Sequence, residues 1–268
     1  MSGRLHLEPA WVRSGRLVLR QALSARQVGD LRSWIEEIES WAEAGGPGLH
    51  HFEQTPNGAR LARSEDFDPH HGDLAAFIRD EVITGPLRSL LGEGAVLFKE
   101  KINFKHPGGG GFAPHQDASA YRFVDHHVSV LVPIDAADVD NGCLSFADGH
   151  TEGLLAHTGG RIDPEWVHAA TWVPVEVEPG DLVFFDSYAP HRSDTNRSSS
   201  SRRAMYLTYN AASHGDLRSR YYQDKRALLD NLAEGAHSET QRARISINDD
   251  FLGQAVPRSN STISSASS

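Results

Sequence analysis

Between Val96 and Asn210 the chain is cut into short β-type runs by Gly, Pro and Asp, and this rhythm constrains its fold more than any other feature. The runs are VLFKEKINFK, HVSVLVPID, CLSFADG, WVPVEVEPGDLVFFD and RAMYLTYNA. Five or more short strands divided by turn residues predict a β-sandwich or jelly roll. Helical periodicity is confined to the flanks, so the fold class is mainly β with flanking helices. The β-rich core runs from about 96 to 210 inside a single domain of residues 1–256. The Ser-rich remainder, 257–268, reads as a disordered tail.

The N-terminal flank opens with a short strand in GRLVLRQAL. Ser24 and Gln27 then form a capping-box pattern. Val28, Leu31, Trp34, Ile35, Ile38 and Trp41 follow at helical spacing, until Gly45–Gly46 stops the run. Those tryptophans are expected in the core. Residues 46–72 read as loop-rich. DLAAFIRDEVITGPLRSLLG predicts a helix broken near Gly85–Pro86 with a short continuation, and SHGDLRSRYYQDKRALLDNLAEG predicts a C-terminal helix.

A chain of 268 residues with 39% hydrophobic content can bury a full core. A net charge of −10 and a pI near 5.8 argue against nucleic acid or an anionic membrane as partner. No apolar run approaches a membrane span, and MSGRLHLEPAWVRSG lacks a signal-peptide core. Cys143 is the only cysteine, which suits a reducing, cytoplasmic setting.

The chemistry concentrates in FAPHQDASAYR, which sets His115 and Asp117 two positions apart. In extended backbone, i and i+2 face the same side, so an imidazole and a carboxylate can grip one metal. A third ligand must come from elsewhere. His191 is the best candidate, where the apolar strand DLVFFD breaks into the turn SYAPHRSDTN. Two His and one carboxylate are the facial set of non-haem Fe(II) oxygenases and leave positions open for co-substrate and O2. H-x-D alone is weak, and two more pairs occur, His71/Asp73 and His214/Asp216. Both stand before helical stretches, where Asp73 and Asp216 suit N-terminal capping.

Four segments in this order resemble the phytanoyl-CoA dioxygenase family of Fe(II)/2-oxoglutarate oxygenases. They are GRLVLRQALSARQVGDLR, KHPGGGGFAPHQDASAY, NGCLSFADGHTEG and EPGDLVFFDSYAPHRSDTNRSSSSRRA, spanning most of residues 15–210. The resemblance implies a double-stranded β-helix (a jelly roll, cupin-like) holding Fe(II) through His115, Asp117 and His191. It also implies 2-oxoglutarate as co-substrate. Arg202, eleven positions after His191, would pair with its far carboxylate, and Ser193 matches a further family contact. A guanidinium fork suits this task, with Arg203 as the rival across the strand. KEKIN resembles a strand that reaches 2-oxoglutarate from two positions, here Lys99 and Asn103. Lys101 and Lys105 share that strand face but are equally explained by a solvated edge.

The resemblance thus implies a dioxygenase that oxidises a C–H bond of a small molecule, with O2 consumed and succinate and CO2 released. Asp117 fills the carboxylate position that halogenating relatives leave to Gly or Ala, which disfavours halogenation. The alternatives are a non-catalytic metal-binding sandwich or sensor, and a cupin-type enzyme independent of 2-oxoglutarate. Arg202 and Ser193 beside His191 argue for a co-substrate and against both. The substrate is open: Lys99, Lys101, Arg122 and several histidines favour an anion such as a carboxylate, a phosphonate or a thioester-linked acid, against an uncharged metabolite. Asp148-Gly149-His150 departs from the family's Gly-Ser-His turn, and His150, Gln116, Tyr121, Arg122 and His126 are further candidates for the pocket wall.

Overall fold

The computed structural model describes residues 9–121, 123–149, 153–235, 245–246 and 248–256. In chain order the first elements are α1 (Pro9–Ser14), β1 (Arg16–Leu19), α2 (Ala25–Ala44), β2 (Leu49–Thr55), β3 (Gly58–Glu65), α3 (Gly72–Ile78) and α4 (Glu81–Leu91). The middle of the chain forms β4 (Ala95–Lys105), β5 (Phe112–His115), β6 (Val128–Pro133), β7 (Leu144–Ala147), β8 (His157–Thr158) and β9 (Arg161–Ile162). Then come α5 (Pro164–Ala169), β10 (Trp172–Val175), β11 (Leu182–Asp186), β12 (His191–Ser193), β13 (Arg202–Ala211), α6 (Arg218–Gly235) and β14 (Gln254–Val256).

These strands build two facing antiparallel sheets, a jelly roll. The larger has the order β1-β11-β6-β13-β4-β3-β2-β14 and the smaller β10-β7-β12-β5-β9-β8. Alternation along each strand sorts the side chains of the large sheet. Val128, Val130, Val132, Leu182, Phe184, Met205 and Leu207 face outward and pack with Leu31, Ile35 and Ile38 of α2 and Ile83 and Leu87 of α4. The opposite set, Leu131, Val183, Phe185, Ala204 and Tyr206, meets Leu144, Phe146 and Val175 of the small sheet. The apolar filling stops there. Along β4 and β3 the inner face carries Lys99, Lys101, Asn103, Arg63 and Glu65, which line a cavity between the sheets.

The Ser24–Gln27 capping box forms as expected, and Gly45 ends α2 in the left-handed region at φ 70°. Three expectations are corrected. Residues 46–72 are not mainly loop: β2 and β3 form a hairpin in the large sheet. Its inward positions are polar, because they face the cavity rather than the apolar core, so hydrophobic alternation never appears in the sequence. The helix break falls at 79–80 instead of Gly85–Pro86. Asp80 caps a new helix by accepting from Val82 N–H at 2.8 Å, and Pro86 sits within α4, where buried Ile83, Leu87 and Leu90 hold the helix despite the lost ladder bond. His71, not Asp73, caps α3: its Nδ1 accepts from Leu74 N–H at 3.2 Å. Asp216 does serve α6, accepting from Arg218 N–H at 3.0 Å. The proposed tail, 257–268, lies outside the described residues.

Ile35 is fully buried between α2 and the sheet. Ile35→Ala is expected to cost about 2–5 kcal/mol, and Ser24→Ala about 0.5–2 kcal/mol through the lost cap. Urea unfolding of the two variants, read as midpoints at unchanged slope, checks both values and their order.

Candidate active site

The site is assembled by one strand pairing. β5 and β12 lie side by side in the small sheet, with His115 and His191 directly opposite each other and their rings 4.2 Å apart between centroids. Each ring is oriented by the backbone two residues earlier. Nδ1 of His115 lies 2.7 Å from the carbonyl of Ala113, and Nδ1 of His191 lies 3.0 Å from that of Ala189. A carbonyl only accepts, so Nδ1 carries the proton in each ring and Nε2 keeps a free lone pair.

Gln116 is extended (φ −118°, ψ 127°), which brings Asp117 to the same side as His115 before a 3-10 turn begins. Ser129 Oγ donates to Asp117 Oδ2 at 3.3 Å and is paired with Thr208 Oγ1 at 2.9 Å. One ligand atom from each of His115, Asp117 and His191 lies within 4.8 Å of the others, and no second such cluster occurs among the described residues. The pairs His71/Asp73 and His214/Asp216 form no such group.

Asp117 and His191 are held in the charge states that a metal ligand needs. Burial pushes the Asp117 carboxyl up, but Lys101 and Lys99, then the two histidines, outweigh it and hold it well below the usual carboxylate range. Burial, then the neighbouring His115, pulls His191 down to about 4, which keeps its imidazole neutral.

A second cluster sits at the other end of the cavity. Arg202 stands opposite Lys105 in the β13–β4 ladder, six residues from the Thr208–Lys99 pair, or roughly 20 Å along the strand. Its side chain is buried, and Nε and Nη1 find no hydrogen-bond partner among the described residues. An unpaired buried guanidinium is costly unless a ligand completes it. Arg203 points the other way, binding Asp135 at 2.9 Å and approaching Glu36 of α2 at 3.5 Å. Lys105 is no solvated edge residue. It is buried and donates to Ser193 Oγ at 3.0 Å and to the carbonyls of Gly142 at 3.2 Å and Asp194 at 2.6 Å. Asn103 accepts from Arg63 Nε at 2.9 Å.

Between the two ends lie Lys99 and Lys101. Neither ammonium has a hydrogen bond or ion pair among the described residues. Lys99 Nζ rests 4.5 Å from the Tyr121 ring and Lys101 Nζ 5.1 Å from that of Tyr206. Burial depresses both, Lys101 to about 7.

His115, Asp117, His191, Arg202, Ser193, Lys99 and Asn103, scattered over more than a hundred positions, thus line one cavity. Other candidates fall elsewhere. Gln116 brackets loops, donating to the carbonyls of Gly153 at 2.9 Å and Tyr188 at 2.7 Å. His126 pairs with Asp186 at 2.9 Å, and Tyr121 packs on Phe98 behind Lys99. Arg122 and His150 lie outside the described residues. Sequence reading missed Arg63, Glu65, Tyr221, Lys225 and Asp250, all in the cavity wall. The turn Pro56-Asn57-Gly58 was the available signal for the hairpin carrying Arg63 and Glu65.

A family model for phytanoyl-CoA dioxygenase (PhyH) matches residues 11–204. The chain belongs to this family. It is an Fe(II)/2-oxoglutarate-dependent dioxygenase, with O2 as the second co-substrate. The chain is 45% identical over 218 residues to a methylphosphonate hydroxylase of Gimesia maris, covering 81% of this chain and 84% of that protein. It is 42% identical over 230 residues to a 2-aminoethylphosphonate dioxygenase of an uncultured bacterium, covering 84% and 88%. Among solved structures, EctD from S. alaskensis with 2-oxoglutarate and 5-hydroxyectoine superposes with a TM-score of 0.64 at 21% identity, over 80% of this chain and 77% of that one. No described helix of this PhyH-family dioxygenase is long and apolar enough to cross a membrane.

The residues present fit the family's cofactors: two imidazoles and a carboxylate converge, and a buried guanidinium whose Nε and Nη1 have no hydrogen-bond partner among the described residues lines the same cavity. Asp117→Ala should leave the fold intact and abolish iron loading, measured as metal content of the folded protein. Arg202→Ala should weaken 2-oxoglutarate binding by about 2–5 kcal/mol, some 30-fold to several-thousand-fold. Arg203→Ala should leave that affinity nearly unchanged. Calorimetric titration of 2-oxoglutarate into the metal-loaded variants separates the two arginines.

Proposed function

We propose that this enzyme hydroxylates a C–H bond of a small organophosphonate, R–H + O2 + 2-oxoglutarate giving R–OH + succinate + CO2. The observation that carries the reading is the pair of ammonium groups, Lys99 and Lys101, beside the triad, with no hydrogen bond or ion pair among the described residues. Arg63, Lys99, Lys101, Arg202 and Lys225 face the cavity against Glu65, Asp117 and Asp250. Glu65 is already taken, by Lys225 and by Arg63 at 3.4 Å. The positive surplus therefore falls on the two lysines and on Arg202. Lysine is an effective point charge for a tetrahedral oxyanion, and both aligned phosphonate oxygenases act on such a group by name.

In this reading residues 1–256 act as one oxygenase domain, and His115, Asp117 and His191 hold Fe(II). Arg202 completes its fork on the far carboxylate of 2-oxoglutarate, flanked by Ser193 and Asn103. Bound iron and 2-oxoglutarate supply the O2 activation. The protein's own part is orientation and exclusion of water. Lys99 and Lys101 clamp the phosphonate, while Phe112 and Leu144 narrow the apolar part of the wall. The 20 Å or so of strand between Arg202 and Lys99 is why Lys99 is assigned to the substrate rather than to the far end of the co-substrate. A metal sensor without turnover would have no use for Arg202.

Succinate formation by the iron-loaded enzyme should rise with phosphonates well above the rate without substrate, and not with the carboxylates of matching chain length. Lys101→Met should raise the phosphonate KM by at least about 30-fold, the equivalent of roughly 2 kcal/mol for one partner of a desolvated charge pair. Stimulation by the carboxylates alone would reject the phosphonate assignment.

A further inference from the structure

Residues 245–246 and 248–256 return from the far end of the chain to close one side of the cavity, beyond residues 11–204 that match the family model. Backbone and side-chain bonds fix this segment. Arg63 Nη1 donates to the carbonyl of Ile245 at 2.6 Å, and Asn248 Nδ2 to Ser119 Oγ at 2.9 Å. Asp249 N–H donates to Gly159, Ala113 N–H to Asp250 and Leu252 N–H to Gly111, at 2.8, 2.7 and 2.9 Å. Gly110 lies so close beneath Gly253 that a Cβ there would come within 2.4 Å of the Gly253 backbone.

The result is a carboxylate, Asp250, pinned at the triad. It is 4% exposed, and its Oδ2 lies 3.5 Å from His115 Nε2. Asp250 falls outside the cluster of three mutually close ligand atoms, so it is not a fourth ligand of the same kind. Ser246 hydrogen-bonds the carboxylate, and His115, Arg63 and Lys101 are the basic groups that face it, but its Oδ1 is buried with no hydrogen-bond partner among the described residues. An acceptor left open in the wall of a ligand cavity is completed by a donor on the ligand.

Building on the phosphonate reading, we infer that Asp250 is a specificity residue that receives the ammonium group of a zwitterionic aminoalkylphosphonate. Lys99 and Lys101 flank Asp117, and Asp250 flanks His115. A molecule with an anion at one end and a cation at the other bridges these two sides and lays its short carbon chain across the triad. A plain alkylphosphonate satisfies the lysines but leaves Asp250 Oδ1 open. Sites that provide a polar partner reject analogues lacking it far more strongly than sites that merely leave room.

The test compares 2-aminoethylphosphonate with propylphosphonate, close in size but without the charge, by succinate formation with the iron-loaded enzyme. The wild-type kcat/KM should favour the amine by at least about tenfold. Asp250→Asn, similar in shape but uncharged, should erase most of that preference by losing the aminated substrate selectively. Melting temperature and metal content report whether the variant folds and loads; if it does not, the wild-type ratio decides alone. Turnover of both phosphonates without preference, or an equal loss of both in the variant, overturns the role of Asp250 while leaving the phosphonate reading standing. Stimulation by neither phosphonate removes both.

Discussion

The antiparallel pairing of β5 with β12 is the contact on which the site depends. It joins residues 112–115 to residues 191–193 and sets His115 against His191. A slip of one residue would turn one of the two rings to the other face of the sheet. Neighbouring structure guards the register. β12 is also paired with β7 on its other edge, Phe146 and Phe185 pack against the His191 ring, and Gly111 runs so near Ser193 that a Cβ there would meet its carbonyl at 2.0 Å. That last approach explains part of the glycine run in HPGGGGF: close backbone passage demands a residue without a side chain.

The interior of the jelly roll divides into an apolar end and a charged end. At the apolar end the sheets meet through Leu131, Phe146, Val183 and Phe185. At the other, buried lysines, arginines and carboxylates face one another. Desolvating so many charges opposes folding unless each finds compensation. Some find it within the protein, as with Lys225 and Arg63 around Glu65 or Lys105 on its three oxygen acceptors. Arg202 Nε and Nη1, the Lys99 and Lys101 ammonium groups and Asp250 Oδ1 have no hydrogen bond among the described residues. These four residues all face the cavity, as expected when stability is surrendered for preorganised binding.

Strand alternation makes this division possible on single elements. β4 turns Lys99, Lys101, Asn103 and Lys105 toward the small sheet, and Glu100, Ile102 and Phe104 toward the helices. β13 does the same with Arg202, Ala204, Tyr206 and Thr208 against Met205, Leu207 and Tyr209. Covering helices thus stabilise the same strands whose other face forms the site, so the outer core positions the inner charges.

Much of this was legible in the sequence, for a definite reason. Where one strand face is apolar, alternation and turn residues announce it, and the runs at 96–105, 128–133, 182–186 and 202–211 all became strands. The His115/Asp117 spacing and the strand-end His191 gave the triad, because i and i+2 share a side in any extended backbone. The β2–β3 hairpin stayed hidden since its inward residues serve a polar cavity and leave no hydrophobic period. Capping by His71 and the helix break at Asp80 turned on which side chain reached which N–H, a matter of local geometry. Only the tertiary structure decided that Arg202 faces inward and Arg203 outward. It alone drew Arg63, Lys225 and Asp250 to the triad, because contacts between distant segments depend on how the sheets close, and no local pattern encodes that.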